Sequence, residues 1–142
     1  MSKSFYEIIE FPLSDTQNGS LTMFQEGSGP KDKMPFAIKK VLTITGMKSD
    51  DARGAHTHHR TRQILLAVTG GCTVDLDNGE EKESVVLEKP NQGLLLNPYV
   101  WHVMRNFKPD TTLLVLADTL YDEAEYIRDY DEFQKYAREN KK

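Results

Sequence analysis

With 142 residues, a net charge of −4 and a single cysteine, the chain is long enough to bury one ordinary core and has no disulfide to staple it. The acidic balance and the lack of an arginine-rich block exclude a nucleic-acid polymer as partner, and no apolar run approaches membrane length. A single domain over residues 1–142, cytoplasmic and away from membranes, is expected.

The elements predicted along the chain are short strands. Residues 5–11 form the first, closed by Pro12; 14–19 read as a polar turn and 21–25 as a second strand. Residues 27–33 are a glycine-containing charged loop, and 36–45, rich in β-branched and apolar side chains, predict a longer strand. The mixed charges of 46–54 predict turns. Residues 63–69 are an almost unbroken apolar run ending at Gly70 and Gly71, as expected of a buried strand entering a tight turn. The alternation of 72–76, the turn residues Asp77, Asn78 and Gly79, and the return over 80–87 predict a β-hairpin. Pro90 and Gly93 break the chain before 94–96, and 111–117 are a further buried strand. Strands at this spacing predict an all-β closed barrel or two-sheet jelly roll. Helical character appears only after Tyr121, with Asp131 as N-cap, Phe133, Tyr136 and Ala137 on one face, and an end at Lys141 and Lys142.

Three of the four histidines fall at 56, 58 and 59. In an extended segment, residues two apart share a face, so His56 and His58 are expected to project together while Thr57 points away and His59 faces solvent. His102 begins another apolar stretch that would form a facing wall. Two imidazoles on one wall suit proton transfer, because their pKa near ~6.5 lets them accept and donate near neutrality. Cys72 reads as a small hairpin hydrophobe, and the acidic run 122–125 as a solvated helix start.

The spacing also carries a resemblance. Arg53, Gly54, Ala55, His56, Thr57 and His58, followed by Gln63 and Gly70, resemble the first cupin motif; Gly93, Pro98, His102 and Asn106 resemble the second. Metal-binding cupins place a glutamate where this chain has Gln63, a neutral amide and a poor ligand, so no metal and no other cofactor is expected. Together with the hairpin over 70–79, the Trp101–His102 pair and the tail from Tyr121 to Phe133, these runs are similar to the nucleotide-sugar 3,4-ketoisomerases over residues 5–137. That family converts dTDP-4-keto-6-deoxyglucose into a 3-keto sugar on the way to amino-deoxyhexoses.

The resemblance implies a cupin double-stranded β-helix, a dTDP-linked keto-sugar substrate, and a homodimer paired through its barrels with exchange of N-terminal strands. On it, His56 falls at the position of the base acting at C3 and His58 at that of its proton-shuttling partner. Arg53 is a candidate for enediolate or phosphate, Gln63 for orienting a histidine or hydroxyl, and His102 for the pocket floor. For the nucleotide, Arg53, Arg60, Arg62 and Arg105 offer cations, and Trp101 and Tyr99 offer aromatic surface. The turn 15–21 departs from the family pattern in lacking an arginine, which makes Gln17 and Asn18 candidates for setting the C4 configuration. Two rival readings remain open: a metal-dependent cupin built on His56, His58 and His102, and a non-catalytic nucleotide-sugar-binding cupin.

Overall fold

The computed structural model describes residues 5–26 and 34–140. The expected loop 27–33 and the expected helix end at Lys141 and Lys142 lie outside the described residues. In chain order the elements are β1 (Glu7–Glu10), β2 (Leu13–Thr16), β3 (Gly19–Thr22), β4 (Lys40–Ile44), β5 (Ala52–His58), β6 (Gln63–Thr69) and β7 (Cys72–Asp77). There follow β8 (Lys82–Leu87), β9 (Gln92–Leu96), β10 (Trp101–Arg105), β11 (Thr112–Ala117), a 3-10 turn at Glu123–Glu125, β12 (Tyr126–Ile127) and the helix α1 (Tyr130–Glu139). No helix among the described residues is long and apolar enough to cross a membrane.

The apolar runs decide how these strands stack. β6 and β11 pair antiparallel at the centre of one sheet of order β1-β9-β6-β11-β4. They are apolar at successive positions because both of their faces are covered. Leu65, Ala67, Leu113 and Val115 point inward, while Ile64, Leu66 and Leu116 meet an outer layer that includes Ile9, Phe11 and Phe36. The facing sheet has the order β12-β5-β10-β7-β8, and its alternating strands send Val74, Leu76, Val85, Leu87 and Met104 into the same interior. The result is the expected jelly-roll barrel. At the β7–β8 turn, Asp77 Oδ1 accepts from Gly79 N at 2.7 Å and Asn78 Oδ1 accepts from Glu81 N at 2.8 Å, with Gly79 at φ +97°.

Several boundaries differ from expectation, each for a physical reason. Residues 14–16 are a strand rather than a turn: β2 pairs with β3 in a free-standing hairpin whose tip is Gln17 and Asn18. Its residues are almost all exposed, so no buried face imposes an alternation to read. The strand expected over 36–45 starts at Lys40; Phe36 and Ile38 instead pack irregularly on the outer layer of the first sheet. β5 begins at Ala52, inside the stretch expected to be turns. The α1 N-cap is Asp129 rather than Asp131, its carboxylate accepting from Asp131 N at 2.9 Å and Glu132 N at 3.2 Å. α1 covers the outer face of the second sheet through buried Phe133, which packs on Trp101.

Candidate active site

The site begins with a fault in β5. Gly54 and Ala55 have φ of +89° and +57°, and pairing with β10 moves from His102 opposite His56 to Val103 opposite Gly54. Ala55 is therefore an extra residue, a β-bulge. Strict alternation would send Arg53 and His56 to opposite faces; the bulge re-phases the strand so that both line one cavity. Glycine is required at 54 because a Cβ there would stand 2.9 Å from the His102 carbonyl oxygen.

The cavity, of about 200 Å³, lies in the barrel interior. Its polar lining is Arg53, His56, Gln63, His102, Tyr126 and Arg128, set among apolar residues such as Leu42, Leu65, Leu96 and Met104. Gln63 faces inward because it shares the parity of Leu65 and Ala67 on β6. The His56 ring centroid stands 4.6 Å from that of His102, 5.1 Å from His58 and 5.1 Å from Tyr126. Tyr126 lies opposite His58 in the β12–β5 pairing, with ring centroids 4.6 Å apart. The Arg128 guanidinium covers the Tyr126 ring at 4.3 Å and bonds Glu123 at 2.7 Å.

His58 touches this cluster without lining the cavity: it is 4% exposed, and its Nε2 is buried with no hydrogen-bond partner. Burial holds all three imidazoles below their ordinary proton affinity, His58 and His102 to about 3; repulsion from His56 adds to the shift of those two, and repulsion from Arg128 to that of His56. They are neutral at pH 7, their lone pairs unprotonated, with His58 and His102 the weakly basic members. As a metal site the residues do not fit: Gln63 stands where a carboxylate ligand would, and among the described residues no three His, Cys, Asp or Glu side chains are arranged for chelation.

Other expected site residues stand elsewhere. Trp101 and Arg105 have the opposite parity to His102 and lie on the outer face of β10. Trp101 packs on Tyr130 and Phe133, and Arg105 holds Asp75 with Nε 2.6 Å from its carboxylate. Arg60 and Arg62 are paired with Glu125 and Asp118. Gln17 and Asn18 sit at the tip of the exposed hairpin, away from the cavity of their own chain. His59, expected in solvent, is instead wedged edge-on between Tyr99 and Tyr136. Cys72 is buried, and burial pushes its thiol up to about 11. Sequence reasoning missed Tyr126 and Arg128 as cavity residues, because a two-residue strand has no periodicity to read. Larger concavities, of about 500 Å³ beside α1 and about 740 Å³ beside Leu120, contain none of the imidazoles.

The chain matches the FdtA family, described as WxcM-like, C-terminal, over residues 4–138. It is 38% identical over 130 residues to the TDP-4-oxo-6-deoxy-alpha-D-glucose-3,4-oxoisomerase of Aneurinibacillus thermoaerophilus, spanning 92% of this chain and 91% of that one. A crystal structure of a 3,4-ketoisomerase from Helicobacter canadensis matches with a TM-score of 0.88 at 38% identity, over 96% of this chain and 99% of that one. QdtA, the 3,4-ketoisomerase of Thermoanaerobacterium thermosaccharolyticum, crystallised as a histidine-to-asparagine mutant with TDP-4-keto-6-deoxyglucose, matches with a TM-score of 0.89 at 34% identity over 96% of both chains. Those relatives share the barrel from end to end, and the chain belongs to the FdtA family of cupin-type sugar 3,4-ketoisomerases.

Proposed function

We propose that this ketoisomerase moves the keto group of dTDP-4-keto-6-deoxyglucose from C4 to C3 through an enediol, by histidine acid–base catalysis, as a step of deoxyamino-sugar biosynthesis. The observation that carries the reading is His56, a partly desolvated, neutral imidazole on the wall of a cavity that sets Arg53, Gln63, His102, Tyr126 and Arg128 among apolar side chains. A base in that state removes the C3 proton while the C4 carbonyl oxygen gains one, giving the enediol. The C3 hydroxyl then loses its proton as C4 carbon gains one. Atoms and electrons balance without an external oxidant or reductant. His58, whose unbonded Nε2 is buried behind the wall against His56 and Tyr126, is the partner that relays protons through those neighbours, and Gln63 supplies an amide for a ring hydroxyl. The enediolate's charge is costly wherever it is drawn out of water, and Arg53 and Arg128 supply the compensating cations.

The cavity is smaller than the ~300–1,000 Å³ usual for whole ligands, so it takes the sugar ring and leaves the nucleotide at its mouth. Trp101 and Arg105 enter this reading as anchors of β10. The test is proton NMR of dTDP-4-keto-6-deoxyglucose with chelator-treated protein in D2O. A 3-keto product deuterated at C4 is expected. No product and no solvent exchange at C3 would overturn the reading, and restoration of activity by added metal would favour the metal-dependent rival.

The same reading includes a homodimer. The β2–β3 hairpin leaves Leu13 43% and Leu21 60% exposed, and β4, the last strand of its sheet, leaves Val41 56% exposed. A second copy would cover these apolar side chains and the open edge. Gln17 and Asn18 would then approach the partner's cavity and influence which face of C4 is protonated. Light scattering is expected to give twice the chain mass, and Asn18→Arg to change the ratio of C4 epimers. A monomer, or an unchanged ratio, removes the corresponding part of the reading.

A further inference from the structure

The connection from β5 to β6 spans residues 59–62 and is flanked by His58 and Gln63, two residues of the proposed chemistry. What fixes it is a carboxylate that the sequence places in an ordinary acidic run. Glu125 is 6% exposed. Its Oε1 accepts from Arg60 N at 2.8 Å, Thr61 N at 2.9 Å and Thr61 Oγ1 at 2.8 Å, and its Oε2 accepts from Arg60 Nε at 3.0 Å. Its own carbonyl accepts from His59 N at 3.1 Å. Thr61, 2% exposed, shares its hydroxyl with Thr119 at 2.8 Å, so the connection is held from both sides.

Such a buried carboxylate is retained only because its oxygens are satisfied, and two of its donors are backbone N–H groups of the connection itself. Glu125 immediately precedes Tyr126, the residue opposite His58 whose ring packs on both His56 and His58. We propose that Glu125 is a positioning residue: resting on the ketoisomerase reading, it ties the 59–62 connection to β12 and thereby fixes His58, Gln63 and Tyr126 relative to one another around the cavity. It touches no substrate. Burial acts to raise its pKa, but the hydrogen bonds from Arg60 and Thr61 outweigh burial and hold it below the ordinary carboxylate value, so the clamp is ionised at neutral pH. Its charge also favours the protonated form of His58, opposing the stronger effect of burial. The Arg60 side chain is 73% exposed, so its ion pair is screened, and the connection's backbone and Thr61 carry the restraint.

The test compares Glu125→Ala with Glu125→Gln in the full-length protein. Alanine removes both carboxylate oxygens, leaving only the backbone carbonyl that accepts from His59 N, and is expected to lower kcat on the order of 100-fold, the scale of a small misplacement of reacting groups. KM and TDP affinity should stay within about threefold, since the cavity's cations are untouched. Glutamine keeps an oxygen for the Arg60 and Thr61 donors and should recover most of the lost kcat. The His58 ring resonances should shift in the alanine variant and return toward wild type in the glutamine variant. Thr61→Val, which deletes one donor, should lower kcat by a smaller factor and decides the matter if alanine prevents folding by circular dichroism. Wild-type kcat in the variants, a loss confined to KM, or a loss that glutamine does not recover would overturn the proposal. If the wild-type protein converts no TDP-4-keto-6-deoxyglucose, the functional reading fails separately, and the His58 resonances alone decide the role of Glu125.

Discussion

His56→Asn is expected to abolish solvent exchange at C3 of dTDP-4-keto-6-deoxyglucose and to lower kcat by at least ~10²–10⁴-fold, the usual contribution of a positioned general base. The reason is geometric. His56 is the histidine of the HxH pair that lines the cavity, directly across the strand pair from His102 and three positions from Arg53, with the Gly54–Ala55 bulge bringing both to the same wall. Asparagine occupies much of the same space and keeps a hydrogen-bonding edge but has no basic nitrogen. TDP-sugar affinity should therefore fall little while the chemistry stops. Calorimetric titration with TDP and NMR in D2O on the same preparation separate the two effects; retention of C3 exchange would remove His56 from the mechanism. His58→Asn is expected to behave differently. Its ring lies behind the wall, so C3 washout should persist while net conversion to the 3-keto sugar is impaired.

The part of this site that could be read from the residues is the part governed by period and parity. The unbroken apolar run of β6 and the Asp77–Asn78–Gly79 turn gave barrel strands at their correct places because burial on both faces and positive φ each leave a compositional mark. Parity also holds a lesson for β10. Once His102 points inward, Trp101 and Arg105 must point outward, and the structure has them packed and ion-paired there. The bulge broke the same rule to opposite effect, placing Arg53 beside His56. Its trace in the sequence is the Gly54–Ala55 pair, too common a dipeptide to be read as a register shift. Tyr126, Arg128 and Glu125 were hidden for another reason: they act through long-range pairing of a strand two residues long, and a charged residue next to other acids looks solvated until its partners, Arg60 and Thr61, are placed about 65 positions away in sequence.

Acidification from pH 7.5 to 5 is expected to destabilise the fold by several kcal/mol, before most carboxylates titrate. His58 and His102 are 4% and 2% exposed, and each is depressed to about 3 from an ordinary value of 6.5. Between those limits the unfolded chain binds protons that the native chain refuses. Stability therefore rises with pH across this window and falls as pH drops below about 6.5, with a slope approaching ~1.4 kcal/mol per pH unit for each histidine. By pH 5 that is roughly 2 kcal/mol apiece, against a total of about 5–15 kcal/mol for an ordinary domain. His56 is shifted in the same direction and adds to the loss. The depressed carboxylates Asp75 and Glu125 act in a lower window: their stabilisation is present above the unfolded carboxylate value and is lost as pH falls through their native values. Urea midpoints at pH 7.5 and 5.0 check this, and His102→Asn should reduce the difference between them by removing one of the groups. An unchanged midpoint in the wild-type chain would show that the histidines are not held neutral by the fold. The acid sensitivity and the neutrality of the site then have one origin, because the desolvation that keeps the histidine cluster unprotonated near pH 7, leaving the His56 lone pair free, also makes the native barrel refuse protons that its unfolded chain accepts.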